Sequence, residues 1–272
     1  MIVFTEENHS YKSINEPVID WESVTTVVAN YKQKFDEVAV SRKVCKNKKS
    51  KWFGLTPEFI VSIWKKESDR ACNLGNWYHN AREVDLINCQ TVGRGGVNLT
   101  VFPAVTDSEG RKVAQDQKIG DGIYPEFMVY LRTEGLIGQS DLPEVLNSVV
   151  SIIDYKTNKE IKTEGFTNWE GMTTMMKDPV SHLEDCNFNH YALQLSLYLY
   201  MILRQNPNLK AGDLILHHVM FEEEPEPDEY GYPITKLSPT GDPIVRELVI
   251  YKMPYLKNEV MQILKHRKNA RV

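Results

Sequence analysis

The sequence predicts a mixed α/β fold, a central mixed β-sheet flanked by helices, and three observations carry that prediction. Residues 57–90 repeat apolar side chains at helical spacing. Residues 127–156 form short apolar runs separated by turn residues. Residues 187–205 make a long apolar helix followed by two more strand-like runs. Helices, antiparallel strands, a helix and then strands is the order expected when helices pack on one sheet.

Each element has a local reason. Residues 1–20 have the alternation and turn residues of a small hairpin. In "SVTTVVANYKQKF" a helix begins after Ser23, whose hydroxyl suits the capping position. In "LTPEFIVSIWKKESDRACNLGNWYHNAREVDLINCQ" Thr56 can cap, Pro57 suits the first helical position, and Phe59, Ile60, Ile63 and Trp64 share a face. Gly75 interrupts this helix at a cost of about 1 kcal/mol relative to Ala, so a kink, a break or a close contact is expected there. "PEFMVYLR" and "LIGQSDLP" flank "TEG" as a β-hairpin, and "VLNSVVSIIDYKT" reads as a third strand. "NFNHYALQLSLYLYMILRQ" is the clearest helix; "DLILHHVMF" and "IVRELVIYKM" form a last strand pair before a C-terminal helix. No repeat divides the chain, so a single domain over 1–272 is expected. Its core covers 20–220, an acidic loop 221–243, and a C-terminal strand with a basic helix 244–272.

Composition narrows the class. The 272 residues are 42% hydrophobic and 25% charged, ordinary for a globular chain. No run of about 18 apolar residues suggests a membrane span. "MIVFTEENHSYKS" lacks the basic and apolar regions of a secretory signal. Cys45, Cys72, Cys89 and Cys186 form no C-x-x-C pair and read as reduced thiols of a cytoplasmic protein. The net charge of −5 advertises no polyanion partner, but its distribution is uneven. "RKVCKNKKSK" holds Arg42, Lys43, Lys46, Lys48, Lys49 and Lys51 without an acid, while "FEEEPEPDE" holds six acids. Each run is read either as a solvated loop or, for the basic one, as a phosphate contact.

The chemistry concentrates in "SIIDYKTNKEI". Strand side chains alternate, so Ile152, Asp154 and Lys156 share one face. Asp141, thirteen residues earlier in "GLIGQSD", closes the preceding strand, and two neighbouring strand ends would bring the carboxylates together. Like charges that close need a cation, and carboxylates facing one point are how Mg²⁺ is held. Lys156 beside the ion would position or deprotonate a water, or stabilise charge on phosphate. D-x-K is common, and the plain reading is a structural ion pair. Two further features weigh against it. Tyr191, Gln194 and Tyr198 share one face of an otherwise apolar helix, where Gln194 needs a polar destination. His79 and Glu83 stand one helical turn apart in "LGNWYHNARE", and imidazole can ligate a metal or touch phosphate.

Together "GNWYH", "YPEFMVY", "GLIGQSD", "IIDYKT" and "QLSLY" resemble the RecB-type branch of the PD-(D/E)XK nuclease superfamily, especially its stand-alone phage and prokaryotic exonuclease-like members. The resemblance spans residues 20–205. It implies a restriction-endonuclease-like core and DNA cleavage dependent on Mg²⁺ or Mn²⁺, with one or two ions. It implies His79, Asp141 and Asp154 as metal ligands, with the backbone carbonyl of Tyr155 as a further oxygen, and Lys156 as the catalytic lysine. Glu126 matches an upstream acid that holds a second metal or orients water. Gln194 and Tyr198 match a Q-x-x-x-Y helix that supports the site and touches DNA, with Tyr191 as a DNA-contacting neighbour. No iron–sulfur cluster is expected, because only Cys186 falls after residue 89. "GRGGVN" lacks the lysine of a nucleotide-binding loop, so no ATP-driven motor is visible.

The expected partner is DNA, together with a recombination or single-strand-annealing protein and a possible homo-oligomer. For a phage-encoded chain the compartment would be the host cytoplasm. Two alternatives stand beside the nuclease. One is a non-catalytic DNA-binding protein on the same scaffold. The other is a glycosidase using Glu126 and Asp141, which would need neither Lys156 nor His79 and would work in EDTA.

Overall fold

The computed structural model describes residues 2–5, 10–14 and 19–270. Strands β1 (Ile2–Thr5) and β2 (Ser10–Ser13) pair antiparallel, as the expected N-terminal hairpin requires. The rest of that expectation falls on residues 6–9 and 15–18, outside the described ones. After the short β3 (Glu22–Ser23), the Ser23 hydroxyl accepts from the Thr26 amide at 3.0 Å and starts α1 (Val24–Asn30). That helix stops at Asn30, short of the "KQKF" half of the segment that suggested it.

Asp36 caps α2 (Glu37–Val44). Helix α3 (Pro57–Cys89) begins where Thr56 and Pro57 say it should. It runs unbroken through Gly75, whose outcome is the close contact: a Cβ there would stand 3.2 Å from Thr157 Oγ1. The β4 (Thr91–Arg94) and β5 (Val97–Thr100) hairpin follows.

Next come β6 (Gly122–Ile123), β7 (Phe127–Leu131), β8 (Leu136–Ser140), β9 (Leu142–Leu146) and β10 (Val149–Lys156). Helix α4 (Asn187–Gln205) crosses over to β11 (Lys210–Phe221), which turns back as β12 (Val245–Met253) before α5 (Lys257–Ala270). The main sheet has the order β12-β11-β10-β9-β6, with β10 and β11 parallel and the other pairs antiparallel.

Two details differ from the sequence expectation. First, the sheet is not one. Strands β3, β8 and β7 form a separate three-stranded sheet. The two sheets are segments of one long hairpin in a single register: Phe127 faces Ser140 and Ile123 faces Glu144, so Glu126 and Asp141 face each other at the junction. Pro125 has no N–H to give there. Glu126 adopts a left-handed φ of 53° and its amide donates to the Asp141 carbonyl at 2.7 Å. Second, "VLNSVVSIIDYKT" is two strands. Asn147 and Ser148, with φ of 52° and 61°, make a two-residue turn that folds β9 back on β10.

Helix α4 anchors the core. Leu193, Leu195, Leu197, Leu199 and Met201 are all fully buried, so the helix is covered on nearly every side. Val24, Val27, Leu136, Val150, Ile152 and Leu216 pack in the same cluster. Gly138 in β8 makes room for this packing, since a Cβ there would lie 2.6 Å from the Tyr198 ring. No helix among the described residues is long and apolar enough to cross a membrane.

Candidate metal centre

The junction of the two sheets collects charge. Strand β10 carries Asp154 and Lys156 on one face, while Tyr155 faces the apolar cluster of Tyr78 and Phe221. The neighbouring strand β9 begins one residue after Asp141, and Leu142 is the register partner of Ile153. The Tyr155 amide donates to Asp141 Oδ2 at 2.8 Å, which clamps that carboxylate against β10. Glu126 arrives from across the hairpin, turned by its left-handed backbone. A non-glycine residue held at positive φ carries strain that the surroundings must offset, and such residues cluster at functional sites.

His79, on α3, meets all of these. Its Nδ1 lies 3.4 Å from Asp141 Oδ2 and 3.6 Å from Glu126 Oε1, and its Nε2 lies 3.1 Å from the Tyr155 carbonyl. One ligand atom each from His79, Glu126 and Asp141 fall within 4.8 Å of one another. Asp154 is 1% exposed and sits 2.5 Å from Lys156 Nζ, while Gln194 Nε2 reaches its other oxygen at 3.4 Å. Asp154 Oδ2 is thus buried against the Lys156 ammonium, whereas Gln139 Oε1 is buried without a hydrogen-bond donor. Two carboxylates and an imidazole that offer one ligand atom each to a common point fit a divalent cation of the Mg²⁺ or Mn²⁺ kind, and Asp154, paired with Lys156, stands outside that group of three.

The electrostatics follow from crowding. Burial, and then the charge of Asp154, push Asp141 up to about 7 from the ordinary 3.8. The two carboxylates are thus close enough to oppose each other. Burial pulls the His79 imidazole toward neutrality, but Asp141 and Glu126 outweigh it and raise His79 to about 9. Burial also works to raise Glu126, yet its contacts with His79 and Lys112 hold it below the usual range. Lys156 is desolvated, but Asp154 and Asp141 keep it charged. With both ring nitrogens facing oxygen acceptors, a protonated His79 fills the part of the cation, and a metal would take that part by displacing a proton.

The remaining sequence candidates divide. Tyr198 is buried against Gly138 on the same helix face as Gln194. Tyr191 donates its hydroxyl to Asn158 Oδ1 at 2.7 Å, and its ring lies 5.1 Å from Lys156 Nζ. The basic run stands apart. Arg42, Lys43, Lys46, Lys48 and Lys49 are exposed on α2 and the turn after it. Their segment packs through Trp52 on Ile60 and Trp64 of α3. Fifteen residues of helix between Trp64 and His79 place the run about 22 Å from the carboxylates along the axis. Lys51 is engaged elsewhere: its Nζ donates to the Tyr230 carbonyl at 2.6 Å and lies over the Trp52 and Tyr232 rings.

Three neighbours had no sequence signal. Lys112 Nζ lies 2.8 Å from Glu83 Oε2 and 3.6 Å from Glu126 Oε2. Gln139 donates its amide to the same Glu126 oxygen. Asn158, just past β10, holds Tyr191. Glu83 is visible in the sequence one turn beyond His79, but nothing local announces its partner.

Comparison with known family models and with curated proteins finds no match to this chain.

Proposed function

We propose that the chain is a metal-dependent deoxyribonuclease that hydrolyses phosphodiester bonds of DNA. One observation carries the reading: His79, Glu126 and Asp141 converge within 4.8 Å at the end of the strand that presents Asp154 and Lys156. A surface ion pair does not call for three more titratable groups around it, nor for a strained Glu126. A bound Mg²⁺ or Mn²⁺ supplies Lewis-acid stabilisation of a phosphate oxygen and lowers the pKa of a water. His79, Glu126 and Asp141 would hold it, and Asp154 and the Tyr155 carbonyl stand beside them.

The protein's own groups do the rest. Lys156 stays protonated in the metal-free pair with Asp154, so it presents a fixed positive charge to an entering phosphate. When phosphate or water takes up part of the Asp154 interaction, the Lys156 ammonium is free to orient the attacking water. Gln194 holds Asp154 from the helix side, and Gly138 lets Tyr198 back it. Tyr191 and Asn158 flank Lys156 where the strand leaves the core. The exposed basic residues of α2 and the turn after it are offered as a distant backbone contact, about 22 Å away and within reach of a bound duplex.

The test is digestion of end-labelled linear and closed circular DNA, with Mg²⁺ and with EDTA, by the wild type and by Asp154→Asn. Loss of label only with Mg²⁺ is expected, with a rate at least 10²-fold lower for Asp154→Asn. The circular substrate separates exonuclease from endonuclease action. Cleavage that persists in EDTA, or that Asp154→Asn leaves unchanged, removes the proposal. Retention of labelled DNA without any loss of label would instead indicate a binding protein.

A further inference from the structure

The fold fixes Lys112 in place. Residues 111–114 add to the edge of β1: the Phe4 amide donates to the Lys112 carbonyl at 3.0 Å, the Ala114 amide to the Ile2 carbonyl at 2.9 Å, and Val3 bridges Val113. This backbone delivers the lysine side chain between two carboxylates that come from different elements, Glu83 of α3 and Glu126 of the hairpin junction. All three side chains are less than a fifth exposed.

Glu126 is thereby divided. Its Oε1 faces His79 Nδ1, on the side where the metal ligands converge. Its Oε2 faces away, toward Lys112 Nζ and the Gln139 amide. In a site for two divalent ions, a carboxylate at this position would bridge, giving one oxygen to each ion. Here the second oxygen already has a cation and a neutral donor. Glu83, the other acid within reach of that position, is also taken by Lys112.

We infer that this site takes one divalent ion, and that the Lys112 ammonium permanently fills the place of a second. The inference rests on the metal-centre reading above. It assigns Lys112 a positioning role: it holds Glu126 so that only one oxygen is offered. Unlike an exchangeable ion, the ammonium needs no second binding step, so ion uptake is a single hyperbolic event.

The experiment counts Mn²⁺ bound to the full-length chain by electron paramagnetic resonance of free ion, across a titration with Mn²⁺ alone. The wild type and Lys112→Arg bind one ion per chain with no sigmoidicity. Lys112→Met frees Glu83 and Glu126 and binds two. The double variant Lys112→Met/Glu83→Gln, which leaves fewer buried charges and is less destabilised, returns to one. Two ions on the wild type, one ion on Lys112→Met, or two on the double variant each overturn the role of Lys112 while leaving a metal centre in place. No Mn²⁺ bound to the wild type removes the metal-centre reading itself.

Discussion

Helix α3 joins two regions that hold opposite charges in opposite ways. Near its start, the basic turn after α2 meets the acidic 221–243 segment across Trp52, Trp64, Tyr230 and Tyr232. Lys51 lies over the Trp52 and Tyr232 rings, and the other lysines of the run are exposed. Near its end, His79 and Glu83 face Glu126, Asp141 and Lys112 with little access to water. The exposed charges are screened and cost little to keep, so they carry little information about task. The buried ones are held against a desolvation cost of several kcal/mol, which is what marks the cluster as a candidate site.

The largest test of this contrast truncates one lysine from each region. Lys156→Met leaves Asp154 buried without its cation and should cost about 3–5 kcal/mol, read as a drop in the urea midpoint. Lys48→Met, with the same change of charge at the surface, should alter stability by no more than about 0.5 kcal/mol. Equal effects would erase the distinction.

Proton linkage comes next. His79 is raised from 6.5 to about 9 in the folded chain, so its contribution to metal-free stability is complete below about pH 6.5 and is lost as pH rises through about 9. Asp141, raised to about 7, favours the protonated folded state, so its effect also weakens stability as pH rises, between about 4 and 7. Metal binding runs the other way, because an ion must displace these protons. Mn²⁺ affinity should climb between pH 6 and 9, by up to about tenfold per pH unit for each proton released, with proton uptake by the buffer in calorimetry. A flat affinity across that range would mean the ion does not use His79.

How much of this is legible in the sequence depends on the range of each interaction. Caps and periodicities are local, so Ser23, Thr56, Pro57 and the 187–205 helix stand out in the sequence and recur in the fold. Strand spacing pairs Asp141 with Asp154, though the geometry differs: Asp141 precedes β9 rather than merely ending β8. The Asn147–Ser148 turn escapes a sequence reading because neither residue is glycine and apolar residues flank it on both sides. The split of the sheet at Pro125 and Glu126 is hidden because both halves keep one register. Lys112 is out of reach. Its contact with Glu83 spans 29 residues and exists only because β1 holds residues 111–114.

A packing test refines the buried side. Gly138→Ala would push a methyl to within 2.6 Å of the Tyr198 ring, against a helix face that has no free space. The expected destabilisation is about 1–3 kcal/mol, seen in thermal or urea unfolding, with Mn²⁺ binding weakened through Gln194 and Asp154. The smallest effect is on the exposed side. Replacing Lys46, Lys48 and Lys49 by Ala should leave the fold and the ion count untouched, while DNA affinity falls. The salt dependence of that affinity should become shallower by about one unit of slope for each phosphate no longer neutralised. An unchanged slope would assign those lysines to solvent alone.

The most direct measurement is anomalous diffraction at the manganese edge from crystals soaked in Mn²⁺. A peak is expected among His79 Nδ1, Glu126 Oε1 and Asp141 Oδ2, within direct coordination distance of these atoms. Saturating Mn²⁺ that yields no peak there, or one only at the surface acids of 221–229, contradicts a cation centre at the sheet junction.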